Sequence, residues 1–474
     1  MNNTHTRKIR IGFIGYGIQA RTSLLPQFCT FKDRIDIVAL CDCDRVRRTA
    51  GVKHVDREFG RGTCRAVADF RDILRDPAID AVVIATPDHW HAYMSVEAMK
   101  HGKDVYCEKP LTYCVEESKT VIAAQKKYKR VFQGGSMQRS WPEFRTAAQL
   151  VRNGCIGRVR FVDCQYGRND DKDILGGTSQ PHRFYSDPAK AATEGAPNPD
   201  CDWDMWLGPA PWSPYSDQCA PRGNHDFYPM FWRFDDHYGT GYNGDWGAHH
   251  LDIAQWGLGM DKSGPVRILA STEPHSANPF HGGRRQFGMK FVFDDGCVLE
   301  HRPFGVWGTV FYGTRGVVAV NRGKIAVWQG RSPRPTEAVR AALAEGKSVG
   351  TLKLLAASIG KDYGTDCLQK KDDALAVTVA TLRETFDLDH AKQQLYRPVG
   401  HIENFLDCIR TRKPTLVPAE TGARAAILTQ LCNLAYVYDT GFDWDPKKNA
   451  FANGTGDPAW LTRPSYRNGW TIQV

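Results

Sequence analysis

Three groups of residues in this chain carry side chains that could do chemistry together. The first is Cys107-Glu108-Lys109-Pro110-Leu111, a charged pair and a proline directly after the short run Asp104-Val105-Tyr106-Cys107. In an open α/β sheet ligands gather outside the carboxyl ends of the strands, so a lysine there can reach a cofactor and a substrate at once. The alternative is a strand that stops at a proline beside a solvated pair. The second group is Gly244-Asp245-Trp246-Gly247-Ala248-His249-His250-Leu251-Asp252, which reads as a helix opening. Asp245 and His249 stand four residues apart, so a helix places them on one face, where the carboxylate can orient or electrostatically support the imidazole. A histidine titrating near neutrality is suited to take a hydroxyl proton while hydride leaves the same carbon. An N-capping Asp followed by a packed His is the plainer reading. The third group, Thr86-Pro87-Asp88-His89-Trp90-His91, offers His89 and His91 for contact with a ligand, or is simply a polar loop whose Asp88 caps the next helix. No metal is expected. Asp245, His249, His250 and Asp252 are all potential ligands, but adjacent helical residues point in different directions and no third cluster has a familiar spacing.

The elements that must position these groups begin with Ile9-Arg10-Ile11-Gly12-Phe13-Ile14, a buried strand leading into Gly15-Tyr16-Gly17-Ile18-Gln19-Ala20. This is a G-x-G-x-x-A turn. Gly15 permits the tight bend, Gly17 lets the backbone approach a pyrophosphate, and Ala20 lets the next helix pack closely on the strand, with Ile18 and Gln19 at the helix start. A second strand, Ile35 to Cys41, ends in Asp42, whose carboxylate can hold both ribose hydroxyls of NAD and would repel the 2′-phosphate of NADP. NAD is therefore favoured over NADP, although Arg45, Arg47 and Arg48 lie close by. Ala81 to Ala85, the strand before Lys109, and Arg130 to Gln133 follow, separated by helix-like segments. Thr86 and Pro87, like Glu108 and Lys109, then fall at carboxyl edges. Such alternation predicts a doubly wound parallel sheet, a Rossmann domain over residues 1–140.

From about residue 140 the pattern changes. Arg158 to Tyr166, Phe287 to Phe293 and Val317 to Val320 alternate like half-exposed strands, which predicts a mostly antiparallel sheet in a second, α+β domain over 141–400. That domain contains a loop-like stretch, about 168–242, with Trp203, Trp206, Trp212 and Trp232, whose flat faces suit sugar rings but are also ordinary packing material. A Lys-, Glu- and Ala-rich stretch, about 332–395, reads as a helical insertion. Residues 401–474 read as closing helices and a tail, with apolar residues at helical spacing over His401 to Ile409 and Thr421 to Tyr438. Gln138-Arg139 and Trp232-Arg233-Phe234 place an amide and two guanidinium groups where they could hold a hydroxyl-rich or acidic substrate, with salt bridges as the alternative for the arginines.

Bulk composition removes several function classes. At 474 residues the chain holds two or three domains, and 42% hydrophobic with 24% charged residues is the balance of a globular protein. No apolar run approaches the roughly 20 residues of a membrane span, and the short polar start Met1 to Lys8 does not read as an export signal, so a cytoplasmic location is expected. The net charge of +9 is spread along the chain without a nucleic-acid module. Fourteen cysteines without paired spacing fit reduced, mostly buried thiols.

Gly15-Tyr16-Gly17, Thr86-Pro87-Asp88-His89-Trp90-His91 and Glu108-Lys109-Pro110 in succession resemble the Gfo/Idh/MocA family of oxidoreductases. The resemblance implies an open-faced sheet domain covering the nicotinamide pocket and a homo-oligomer, dimer or tetramer. It implies that Lys109, next to a cis-proline site, polarises a substrate hydroxyl, that His249 accepts its proton, and that Asp245 completes the set. The expected activity is NAD-dependent oxidation of a sugar, polyol or glycoside. Two alternatives use the same chain: an NAD-dependent glycoside hydrolase working by transient oxidation, elimination and re-reduction, and a non-catalytic nucleotide-binding protein.

Overall fold

The computed structural model describes residues 7–60, 62–166, 197–217, 219–223, 231–271, 288–302, 307–329, 378–463 and 466–474. Six strands, β1 (Ile9–Ile14), β2 (Ile35–Cys41), β3 (Arg65–Val67), β4 (Ala81–Ile84), β5 (Asp104–Cys107) and β6 (Phe132–Gly134), form one parallel sheet in the order β3-β2-β1-β4-β5-β6. The helices between them are α1 (Leu25–Cys29), α2 (Arg45–Phe59), α3 (Phe70–Arg75), α4 (Asp88–Lys100) and α5 (Val115–Tyr128). Every residue of β4 and β5 is buried, as parallel strands covered on both faces require. Strand order reverses between β1 and β4, so a crevice opens at their carboxyl ends. β3 has no apolar signature in the sequence, only Arg-Ala-Val with two exposed residues, and is held by its pairing to Ala39–Cys41.

A short turn, Met137–Ser140, and α6 (Pro142–Arg152) lead out of this domain. The second sheet has nine strands, β7 (Val159–Gln165), β8 (Arg267–Leu269), β9 (Lys290–Val292), β10 (Val298–Arg302), β11 (Thr309–Gly313), β12 (Gly316–Asn321), β13 (Lys324–Gln329), β14 (Phe442–Asp445) and β15 (Ala450–Ala452). β7 and β10 run parallel, while its other assigned pairs are antiparallel. The mostly antiparallel second sheet expected from the alternating runs is therefore present. Between its strands lie α7 (Trp203–Leu207), within the stretch read as loop, and α8 (Ala248–Gly257). Most of the residues read as a helical insertion lie outside the described residues; at its end α9 (Val379–Thr385) is helical.

The carboxyl-terminal segment is shared between the two domains. α10 (His401–Thr411) sends Ile402, Phe405 and Leu406 into the core that also holds Ile11, Phe13 and Tyr106. α11 (Ala419–Val437) puts Ala423 and Ala426 against the Rossmann core and Ile427, Leu428 and Leu431 into the core beneath the second sheet. Burial of each of these larger side chains contributes about 1.5–3 kcal/mol. α11 thus fastens the two domains together, and β14 and β15 extend the second sheet. A buried ion pair, Arg463 Nε to Glu117 Oε1 at 2.7 Å, ties the tail to α5.

Candidate active site

One cavity of about 730 Å³ runs along the crevice at the ends of β1, β4 and β5 and is covered by the second domain. Its floor begins at the glycine turn. Gly15 has φ +92°, and a Cβ there would stand 2.6 Å from the carbonyl oxygen of Ala85, so only glycine lets the two strand ends approach so closely. Gly15, Gly17, Ile18 and Gln19 line the cavity, whereas Ala20 lies beneath it, fully buried at the start of a π-helical turn, Ala20–Leu24. Asp42 also lines it, its carboxylate fixed by the amides of Tyr16 (2.8 Å) and Asp44 (2.9 Å). Thr86 and Pro87 follow β4, and Glu108 is buried beside Gln19, whose amide lies 3.4 Å from its Oε1; burial raises its pKa. A dinucleotide fits this wall, because the turn supplies backbone amides and the space a Cβ would fill, and Asp42 stands at the far end.

A strap formed by residues 197–217 and 219–223 closes that far end. The amide of Arg45 donates to Asp200 O at 2.7 Å, the amide of Asp202 to Cys43 O at 3.1 Å, and Arg47 Nη2 to Pro221 O at 3.0 Å. Cys201, Met205, Trp206, Cys219, Ala220 and Pro221 thereby become part of the cavity wall.

The other end of the cavity is built where β5 meets α8. Lys109 follows β5, and the Lys109–Pro110 peptide is cis. Its Nζ donates to Asp245 Oδ1 and to the Asp245 carbonyl, both at 2.7 Å. Arg233 Nε stands 3.6 Å from the same Oδ1. Asp245 sits in a π-helical turn, Asn243–Gly247, that precedes α8 and packs so tightly that a Cβ on Gly247 would meet the Tyr166 ring at 2.8 Å. π turns inserted ahead of α-helices recur at functional sites. The expectation that Asp245 orients His249 is corrected, for the carboxylate bonds Lys109 and leaves His249 only a weak electrostatic pull. His249 keeps a buried Nδ1 without a hydrogen-bond partner, and its pKa falls well below the ordinary value. Burial is the main cause, followed by the charges of Lys109 and Arg322 and the neighbouring His250; Asp245 opposes them least. The imidazole is thus neutral at physiological pH.

Other expected site residues divide. Gln138 and Arg233 line the cavity. Arg139 is outside the cavity lining: its side chain is buried, with Nε and Nη2 on Asp252 at 2.8 and 2.7 Å and Nη2 also on Asp261 at 2.8 Å. The guanidinium expected to grip a substrate is an internal strut. His89 is likewise outside the lining and engages the carbonyls of Tyr238 and Trp206 through its two ring nitrogens, at 3.3 and 3.0 Å. Burial drives its pKa down to about 3. His91 lines the cavity between the carbonyls of Pro110 (2.7 Å) and Thr86 (2.9 Å), holding the ends of β4 and β5 together.

Several cavity residues were not singled out from the sequence. Asp88 does not cap α4; Pro87 occupies that position, and the Asp88 side chain accepts from Thr240 Oγ1 at 3.0 Å. Arg322, in the β12–β13 turn, lies over the rings of Trp246 (4.6 Å) and Trp141 (5.6 Å), and its Nε donates to Gln138 Oε1 at 3.0 Å. The turn itself is legible as Asn321-Arg322-Gly323 between two alternating runs, but not its aim. Among the described residues no group of three His, Cys, Asp or Glu side chains could hold a metal ion, and no helix is long and apolar enough to cross a membrane.

Residues 9–136 match the NAD-binding Rossmann fold of an oxidoreductase family, and residues 179–302 match the C-terminal alpha/beta domain of the same family. An inositol 2-dehydrogenase of Rhodococcus jostii is 36% identical over 102 residues, 21% of this chain and 28% of that protein. A glycosyl hydrolase family 109 protein of Shewanella is 29% identical over 162 residues, 33% of this chain and 35% of that protein. The matched stretches span less than half the length of these curated relatives. Among solved structures, aldose-aldose oxidoreductase from Caulobacter crescentus, complexed with glycerol, superposes with a TM-score of 0.57 over 92% of this chain and 100% of that one, at 16% identity. At that identity the likeness is one of fold.

Proposed function

Given that this chain belongs to the Gfo/Idh/MocA oxidoreductase family, we propose that it oxidises a hydroxyl of a sugar, polyol or glycoside with NAD as hydride acceptor. The observation that carries this reading is that Lys109 Nζ, fixed on Asp245 at 2.7 Å, and the neutral His249 share one cavity with the glycine turn. The dinucleotide would lie on Gly15, Gly17, Ile18 and Gln19, with Asp42 toward its adenosine ribose and Thr86, Pro87 and Glu108 toward the nicotinamide; bound there, it supplies the hydride-accepting ring. Asp42 favours NAD over NADP. The Lys109 ammonium donates to the substrate oxygen and stabilises the negative charge that grows on it. His249 takes the hydroxyl proton on Nε2, since Nδ1 is sealed. Gln138 and Arg233 offer donors to the remaining hydroxyls. With saturating substrate, Lys109→Ala and His249→Ala are expected to lose about 10²–10⁴-fold in kcat with NAD affinity nearly unchanged. Near-normal turnover in either variant would refute the assignment.

A redox-neutral reading, in which a glycoside is oxidised, eliminated and re-reduced, is favoured by two observations. One is the similarity to a glycosyl hydrolase family 109 protein; the other is the strap, which encloses the adenosine end and suits a dinucleotide kept through many turnovers. Aglycone release without NADH accumulation would select this reading, and stoichiometric NADH the dehydrogenase.

A further inference from the structure

We propose that Asp88 is a second acid–base group of this site, which takes up the proton leaving the substrate hydroxyl and holds it as a neutral carboxylic acid. The inference rests on the oxidoreductase reading above. Its basis is where the side chain goes. An aspartate beginning a helix ordinarily accepts from the free amides of the first turn; Asp88 makes no such cap and instead crosses to the second domain. There Thr240 Oγ1 donates to its Oδ2 at 3.0 Å, and Thr240 is held in turn by the glycine turn of the reactive end, where a Cβ on Gly244 would collide with its hydroxyl. The residue is 5% exposed and lines the same cavity as Lys109, Asp245 and His249. With Oδ2 taken by Thr240, Oδ1 is left for the cavity. Among the described residues no ion pair reaches Asp88.

Such a carboxylate is costly to keep charged. Burial raises its pKa to about 7, against the opposing pull of Arg233, Lys109 and the Thr240 hydrogen bond, with Asp245 adding to the rise and the Cys107 thiol as the remaining titratable neighbour. His249, facing Lys109, Arg322, His250 and Asp245, is displaced in the other direction. The cavity therefore holds an inverted pair, a histidine that resists a proton and an aspartate that accepts one at neutral pH. Groups pushed apart in this way mark acid and base assignments. His249 suits the moment of transfer, when low proton affinity lets it pass the proton on; Asp88 suits its retention. The balance is complete: the C–H pair would leave as hydride to NAD, the O–H bond breaks, its proton is taken first by His249 and ends on Asp88 across the cavity that both groups line, and the products are carbonyl, NADH and a neutral Asp88. In the redox-neutral variant Asp88 returns the same proton on re-reduction.

The test combines a titration with kinetics on the full chain. Carboxyl ¹³C NMR of the cofactor-free protein labelled at aspartate is expected to show a carboxyl with a midpoint near neutrality, separate from the signal of Asp236, which burial raises to about 6, and absent from Asp88→Asn. Thr240→Val should move that midpoint upward and Thr240→Ser restore it. In turnover, Asp88→Asn should lose about 10–100-fold in kcat together with the near-neutral inflection of the pH profile, with little change in KM for NAD, while Asp88→Glu retains the inflection. A midpoint below about 5, near the ordinary carboxylate range, overturns the proposal. So does an Asp88→Asn variant with wild-type kcat and an unchanged inflection. If the wild-type protein oxidises or cleaves no carbohydrate, the functional reading falls and takes this proposal with it; active wild type with an indifferent Asp88→Asn sinks the proposal alone.

Discussion

Arg139→Met separates the role the sequence suggested for Arg139 from the one its surroundings give it. The guanidinium makes three charge-assisted hydrogen bonds of 2.7–2.8 Å, two to Asp252 and one to Asp261, and lies over Trp256 at 5.2 Å. Its side chain is 2% exposed and that of Asp252 1%. Removing the cation leaves Asp252 as an uncompensated buried charge, whereas Asp261 is more exposed and can hydrate. The loss from breaking a buried pair is about 3–5 kcal/mol, and replacing both partners by apolar residues recovers much of it. At about 1.4 kcal/mol per decade this is two to three and a half powers of ten in the folding equilibrium. Urea unfolding of wild type, Arg139→Met and Arg139→Met/Asp252→Leu should show a large drop for the single variant and partial recovery for the double. KM of the folded fraction should be unchanged. An unchanged transition with KM raised tenfold or more would refute this reasoning and return Arg139 to the substrate.

Two further perturbations probe the frame around the site. Gly247→Ala drives a Cβ into the buried Tyr166 ring, which is itself stacked on His301 at 3.8 Å, so the π turn that carries Asp245 must shift; kcat should fall about 10²-fold with NAD affinity retained, checked by steady-state kinetics and calorimetry. His401, buried between Ser140 Oγ (2.7 Å) and Gly134 O (3.0 Å), has its pKa lowered by burial to about 4. Between that value and the ordinary 6.5 the unfolded chain binds the extra proton, so stability is full above pH 6.5 and falls as pH drops, by up to about 3 kcal/mol near pH 4. The difference between wild type and His401→Gln in denaturation from pH 7.5 to 4.5 should show this slope, and parallel profiles would disprove it.

The parts of the molecule that could be foreseen are those fixed by local rules. β1, the glycine turn, Asp42 at the end of β2 and Lys109 at the end of β5 follow from short apolar runs and from the backbone freedom that Gly15 needs at φ +92°. The strut Arg139–Asp252 and the bond from Lys109 to Asp245 join residues more than 100 positions apart, and no spacing rule reaches across that interval. His89 and His91 are instructive because the helix geometry does decide between them. Residues two apart on a helix face nearly opposite ways, so one imidazole could reach the crevice only if the other turned away, and the carbonyls of Trp206, in the strap, and of Tyr238 beyond it claim His89.

The Asp245/His249 pair shows the same logic failing. Four-residue spacing puts both on one face of an α-helix, and that spacing is what makes the pair conspicuous in the sequence. In the structure Asp245 stands in a π turn, Asn243–Gly247, and its Oδ1 is taken by Lys109 Nζ, so the contact that spacing suggests with His249 is not the hydrogen bond the carboxylate makes. Nothing in the composition of the segment announces the π turn except its glycines, Gly244 against Thr240 and Gly247 against Tyr166, which mark where backbone must pass close to other groups. The consequence is chemical. Burial first, then the charges of Lys109 and Arg322, leave His249 a base of low affinity, and Asp245, bonded to the lysine, opposes them only weakly. The site therefore needs another group to retain the proton, and Asp88, the cavity carboxyl that burial brings to neutrality, meets that need.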